Sequence, residues 1–491
     1  MTDKAKKSLI VSGTVFLTCG IFLLGFLTGL YSLPHQNPVS ANTEITSDTF
    51  FRVPEGVTPE MSRPDYWIRP ENDTLLFSEQ EIIDFNENNP LYVQYTVNGK
   101  TKKLFENALD ETLEGNVVRS LLDSALLNAI SDPESGYYVN GARINCDYSE
   151  RISELINADS VGNTVVLRYA VCVKATVSMQ LPSEDFLSTT PDEIHINDAV
   201  SAEISPFTGV IVLHESADGE WYYLLAGSFC GWVRKETVAF CQDHTEWERA
   251  CNPDTFLIVT GDKLVLDETA APSAVSGMIL PMGTKIPLSE EANALPDGRN
   301  AMHCYFAELP VRAEDGTLSY ETVPIPISGD IHVGYLTMTS SSVITQAFKF
   351  LGHIYGWGGS FSSNDCSGMV RQIYRCYGFC LPRSSAAISS LKDLGSFSCA
   401  SMTADKKSGV LSRMPAGLLL YMKGHLMIYL GTDNGIPYVI SSCASYYPAD
   451  SKPGKASRVF VNGVMVSGLD LVRENGSSWL DSLAVFTWKE Y

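Results

Sequence analysis

Residues 169–338 read as short apolar stretches cut by tight turns about every 8–12 residues, a spacing that suits small β-barrels and cannot serve long helices. Val171, Val173 and Ala175 alternate with other residues, the period of a strand. The run 209–214 leads to an Asp218-Gly219 turn, then to the run 221–225, and after a glycine-containing break to Gly231-Trp232-Val233. A second set of such signals fills 253–338, with Gly283-Thr284, the turn Asp315-Gly316 and Gly334-Tyr335-Leu336. No internal repeat links the two sets.

The period changes on either side. Ser78 with Glu81 three residues on is a capping box, in which each side chain satisfies the other residue's free amide. Ile82, Ile83 and Phe85 continue the helix and Pro90 stops it. A second helical pattern occupies 117–127, so 64–168 reads as a mostly helical segment. Beyond the strands, Val343, Ile344, Ala347, Phe348 and Leu351 mark one face of a helix closed by Gly352. At 491 residues the chain exceeds one core and calls for about three or four units.

Charge and the N-terminus bound the setting. A net charge of −22 argues against nucleic acid, which rewards clustered Lys and Arg. Lys4, Lys6 and Lys7 precede an apolar run at 9–33, longer than the roughly 20 residues a bilayer span needs. The basic flank stays inside and the body of the chain is exported. Small residues at Val39-Ser40-Ala41 leave signal-peptide cleavage open beside an uncleaved anchor. Residues 42–63 are polar, with scattered Pro and Thr, and read as a stalk. The 12 cysteines are scattered, and their pairing is not legible. Cys376 and Cys380 have no second pair at ligand spacing, so neither a metal nor any other cofactor is expected.

The chemistry gathers in 339–491. Tyr355-Gly356-Trp357-Gly358-Gly359 is followed by Asn364-Asp365-Cys366-Ser367-Gly368, and then by a helical pattern through Met369, Val370, Ile373 and Tyr374. Cys366 thus starts a helix, where free amides and the helix dipole favour a thiolate and can hold a developing oxyanion. The paired glycines allow a close approach by backbone or substrate. The competing reading of Cys366 is a buried structural thiol. His425 follows a Lys423-Gly424 turn and opens a strand, a position from which it can serve as base and then as acid. Ser441, on the next strand, would lie beside His425 if the two strands pair, with Ser442 as the alternative orienter.

These stretches, with Leu381-Pro382-Arg383-Ser384 and the run 424–431, resemble the NlpC and p-sixty family of cell-wall cysteine peptidases. The resemblance implies a multidomain α+β chain: a helical N-terminal segment, two SH3-like β-barrels and a papain-like α+β peptidase domain. The expected units are 1–41 (anchor or signal peptide), 42–63 (stalk), 64–168 (helical stabilising segment), 169–252 and 253–338 (barrels) and 339–491 (peptidase). It also implies Cys366 as nucleophile and His425 as base, acting on peptidoglycan stem peptides or muropeptides at the γ-D-glutamyl bond to the diamino acid. Tyr355, Asp365 and Ser367 match positions that bind substrate at the free amine of the L-Ala end. The chemistry-free roles of these three are packing, a helix N-cap and a helix-start hydrogen bond. The third catalytic position, usually His in the family, falls on Ser441. That departure supports a second reading, a wall-binding module on an impaired peptidase scaffold. A third is an amidase or acyltransferase on the same fold.

Overall fold

The structure, a computed structural model, describes residues 52–69, 73–109, 111–132, 134–289, 295, 298–450 and 457–488. The apolar run at 9–33 and the first part of the expected stalk, 42–51, lie outside the described residues. No helix among the described residues is long and apolar enough to cross a membrane.

The stalk expectation fails from Val53 onward. Val57, Met61 and Trp67 are buried in the core of the C-terminal unit, and Val53 packs against it. Trp67 lies 5.3 Å from the Tyr438 ring, and its indole N–H donates to the Met61 carbonyl at 2.9 Å. The Tyr438 hydroxyl donates to the Gly56 carbonyl at 2.8 Å. A few apolar anchors among polar residues carry no period, so this attachment is silent in the sequence.

The segment 64–168 is helical only in part, and it serves two cores. Helix α1 (Glu79–Asn88) has its capping box: Glu81 accepts from the Ser78 amide at 2.8 Å, and the Glu81 amide donates to Ser78 Oγ at 3.3 Å. Its Ile82 and Phe85 join the core of the C-terminal unit, where Phe85 meets Phe379 at 5.0 Å. A hairpin follows, β1 (Tyr92–Val97) with β2 (Lys100–Phe105), turned by Asn98-Gly99, both at positive φ. Asn-Gly is a strong hairpin turn, and it explains the departure from helix. The pattern at 117–127 resolves into α2 (Gly115–Leu122) and α3 (Ala125–Ile130), which is restarted by Ser124 as N-cap. Helix α4 (Cys146–Ile156) is capped by Asn145. Val118, Leu122, Leu126, Ile130, Ile152 and Ile156 of α2–α4 pack against the first barrel.

That barrel is a seven-stranded antiparallel sheet. Its strands are β3 (Arg168–Cys172), β4 (Thr176–Met179), β5 (Val200–Ile204), β6 (Gly209–Glu215), β7 (Trp221–Ala226), β8 (Phe229–Arg234) and β9 (Val238–Phe240). Their order is β5-β4-β8-β7-β6-β3-β9. Alternate residues feed different cores: Tyr222 and Leu224 one, Trp221, Tyr223 and Leu225 the core shared with the helices. With both faces covered, β7 is buried at every position and cannot alternate in polarity. Helix α5 (His244–Cys251) closes the unit.

The second β unit has its own core around Leu257, Val259, Leu280, Ile286 and Ile325. It contains β10 (Phe256–Val259) between β11 (Lys285–Pro287) and β14 (Ile331–Val333), and a long hairpin of β12 (Cys304–Arg312) and β13 (Leu318–Pro326). Gly316, in the expected turn, has φ +90°.

In the C-terminal unit, α6 (Ser340–Phe348) and α7 (Cys366–Arg375) precede a six-stranded antiparallel sheet. Its strands are β15 (Ser396–Ser398), β16 (Leu419–Met422), β17 (His425–Asp433), β18 (Ile436–Tyr446), β19 (Val459–Gly468) and β20 (Leu483–Thr487), in the order β15-β20-β16-β17-β18-β19. Met369, Val370, Ile373 and Tyr374 of α7 share one core with Leu426, Met427, Ile428 and Ile440 of the sheet. Each such buried side chain contributes roughly 1.5–3 kcal/mol.

Candidate active site

Cys366 is the first residue of α7, and Asp365 is the N-cap. Asp365 Oδ1 accepts from the Gly368 amide at 2.8 Å and from Ser367 Oγ at 2.9 Å. Its Oδ2 accepts from the Gly358 amide at 3.1 Å and pairs with the Arg383 guanidinium. Burial works to raise this carboxyl, but the Arg383 charge and the hydrogen bonds hold it below the usual carboxylate range.

The thiol departs from expectation. Burial first, and the Asp365 charge second, push Cys366 up to about 12. Contacts with the Leu426 and Ser367 backbone, and the charge of Arg383, pull the other way and do not prevail. At 9% exposure, loss of solvation outweighs the helix dipole that was expected to lower the thiol.

His425 opens β17 after the turn at Gly424, whose φ is +83°. Burial and then the Arg473 charge lower the imidazole to about 4, against the opposing pull of Asp365, although the residue keeps some exposed surface. Strand β17 pairs with β18, Ile428 facing Ile440, so Ser441 sits diagonally across from His425 on the same face. His425 Nε2 and Ser441 Oγ lie 3.0 Å apart, and Ser441 is fully buried. Ser442 turns away and donates to the Asn364 carbonyl at 2.6 Å, so it holds the loop before α7 rather than the imidazole. With Nε2 on Ser441, Nδ1 is the ring nitrogen left for another partner.

Tyr355 is buried, with its amide donating to the Asn462 carbonyl at 2.7 Å. Burial, then the charges of Asp365 and Cys366, raise its phenol above the ordinary value. Tyr355, Asp365, Cys366 and Ser367 therefore come together, as do His425 and Ser441. The paired glycines serve the barrel. A Cβ on Gly358 (φ +63°) would lie 2.6 Å from Val200 Cγ1, and one on Gly359 (φ +100°) 2.5 Å from Glu203 Cβ, both on β5.

The sequence reading gave Arg383 no role, although it stands in a noted motif. Its Nη1 donates to Ser367 Oγ at 2.7 Å, its Nε to the Ser201 carbonyl at 3.1 Å, and its backbone amide to Ser228 Oγ at 2.9 Å. One side chain thus ties the start of α7 to the first barrel. Trp479 was also missed; its ring meets His425 edge-on at 5.4 Å, and no local pattern links these two distant residues.

Cys366 thus starts a helix packed on an antiparallel sheet whose strands carry His425 and its polar contact Ser441. Residues 352–444 match the NlpC/P60 family, and residues 188–234 match the SH3 domain of SH3b1 type. The C-terminal unit is an NlpC/P60 domain, and SH3-like units precede it in the chain. A solved structure of an NlpC/P60 endopeptidase from Photobacterium damselae subsp. piscicida matches with a TM-score of 0.65 at 17% identity, over 89% of this chain and 97% of that one. At that identity the likeness concerns the fold. No curated protein matches this chain.

Proposed function

We propose that this protein is a cysteine endopeptidase that hydrolyses peptidoglycan stem peptides at the γ-D-glutamyl bond to the diamino acid. The observation that carries the reading is the 3.0 Å contact of His425 Nε2 with Ser441, which leaves Nδ1 free to serve the thiol at the start of α7. The NlpC/P60 match and the SH3-type match support a wall peptide as substrate. Because the thiol is high and the imidazole low, the resting pair is neutral, and the proton moves as the bond forms. Cys366 Sγ attacks the γ-carbonyl carbon while His425 takes the thiol proton. Amides at the start of α7 hold the oxyanion. His425 then protonates the leaving amine as the C–N bond breaks, giving a thioester. It next deprotonates a water that attacks the thioester, and the thiolate departs and recovers its proton.

Tyr355, Asp365 and Ser367 frame the amine of the L-Ala end in this reading. Asp365 stays ionised, which suits an ammonium, and it shares its charge with Arg383. The basic flank and the apolar run at 9–33 support placement of the folded units outside the cell membrane. A second reading, an impaired wall-binding scaffold, is favoured by the uncharged Ser441 and by the raised thiol.

Defined muropeptides incubated with residues 42–491, beside the Cys366→Ala form, separate the two in a mass spectrum. A product split after D-glutamate that vanishes with Cys366→Ala is expected. Intact lysine- and diaminopimelate-type peptides after prolonged reducing incubation would refute cleavage, and pull-down on isolated cell wall then tests the binding reading.

A further inference from the structure

Behind the C-terminal half of α7, where the first barrel and the second β unit meet it, lies a cavity of about 320 Å³ that neither Cys366, His425 nor Ser441 lines. Its charged lining is Glu106, Glu203, Lys285, Arg371 and Arg375. Arg371 is 7% exposed, and its Nε has no hydrogen-bond partner. The carboxylates nearby are shared with other cations: Glu203 opposes the charges of both Arg375 and Arg371. Glu203 Oε1 accepts from Ser205 Oγ at 2.6 Å and lies 3.8 Å from Arg375 Nη1, which itself donates to Ser205 Oγ at 2.6 Å. Asp365 is held by Arg383.

A buried guanidinium N–H without an acceptor is costly, because its lost solvation is not replaced at that atom even with Glu203 as a countercharge. Glu203 Oε2 also lacks a partner, so the sign of the cavity has to be decided by its whole inventory. Three cationic side chains face two carboxyls. One carboxyl, Glu106, accepts from the Gly227 amide at 3.2 Å, and burial raises it to about 7, so it is only partly charged at neutral pH. The balance is positive, in a chain whose net charge is −22.

We propose that this cavity binds a small oxyanion, a carboxylate or phosphate group, with the Arg371 guanidinium as its main donor and Lys285 on its rim. Arg presents a planar fork suited to such groups, and burial strengthens the contact. The site is separate from the peptidase reading and does not depend on it.

Isothermal titration of the full chain carrying Cys366→Ala, with orthophosphate and with glutarate at constant ionic strength, tests the site without turnover. Saturable binding with one anion per chain is expected, and Arg371→Met should weaken it roughly tenfold or more. Tighter phosphate identifies a phosphate ligand; tighter glutarate identifies a carboxylate. Should Arg371→Met fail to fold, Lys285→Met serves: weaker binding upholds the site, and unchanged binding refutes it. Failure of both anions to bind, or equal binding by folded Arg371→Met, overturns the proposal. Loss of muropeptide cleavage has no bearing on this readout.

Discussion

Ser441 Oγ is the polar contact of His425 Nε2 and is fully buried, so its removal strips the imidazole of the group that sets its tautomer. Ser441→Ala is expected to lower kcat roughly tenfold, the cost of about one hydrogen bond, while leaving KM nearly unchanged. Steady-state kinetics on a muropeptide checks this, and an unaltered kcat would remove Ser441 from the site. The lowered imidazole also makes a stability statement. His425 is neutral in the folded chain down to about pH 4 and would titrate near its ordinary 6.5 when unfolded. The unfolded state therefore binds more protons between these values, so stability is fully present above 6.5 and is lost as pH falls toward 4. Thermal unfolding across that window should show a loss that His425→Gln reduces. Equal slopes for both proteins would show that the ring is not held neutral. Strand order placed Ser441 and Ser442 on the strand beside His425 without choosing between them. The raised thiol was not legible, because burial is a tertiary property that no helix-start motif encodes.

The elements divide according to how local their causes are. Helix α1 was legible because its capping box and apolar face lie within ten residues. Helix α7 was legible because Asp365, Gly368 and the apolar face of the helix are contiguous. The segment at 53–63 was read as stalk because its attachment comes from distant residues, such as the Tyr438 hydroxyl that donates to the Gly56 carbonyl, and not from its own pattern. Trp67→Ala should therefore destabilise the NlpC/P60 domain by about 3–5 kcal/mol, the usual cost of emptying a buried aromatic site. Chemical denaturation measures this, and a change within about 0.5 kcal/mol would show that Trp67 does not anchor the segment before α1 to that domain. The hairpin β1–β2 was concealed differently. Its Asn98-Gly99 signal is strong, but the helical patterns on either side overshadow it.

Across the whole molecule, Arg383 joins the start of α7 to β5 and to Ser228 of the first barrel. Arg383→Ala leaves Asp365 buried without its countercharge and should cost about 3–5 kcal/mol. Adding Asp365→Asn should recover part of that loss, because the unpaired charge is then gone. Melting curves of the single and double variants decide it; a double variant no more stable than Arg383→Ala would mean that the guanidinium acts through the barrel contacts instead. The sequence by itself determined the order of the units, the helix start at Cys366 and the strand start at His425. Each of these follows from a period, a cap or a turn within a short window. Only the tertiary structure decided that Ser441 and not Ser442 meets the imidazole, that the paired glycines admit a barrel strand, and that Arg383 neutralises Asp365. Those outcomes depend on which surfaces meet across hundreds of residues, and on the solvation lost where they meet.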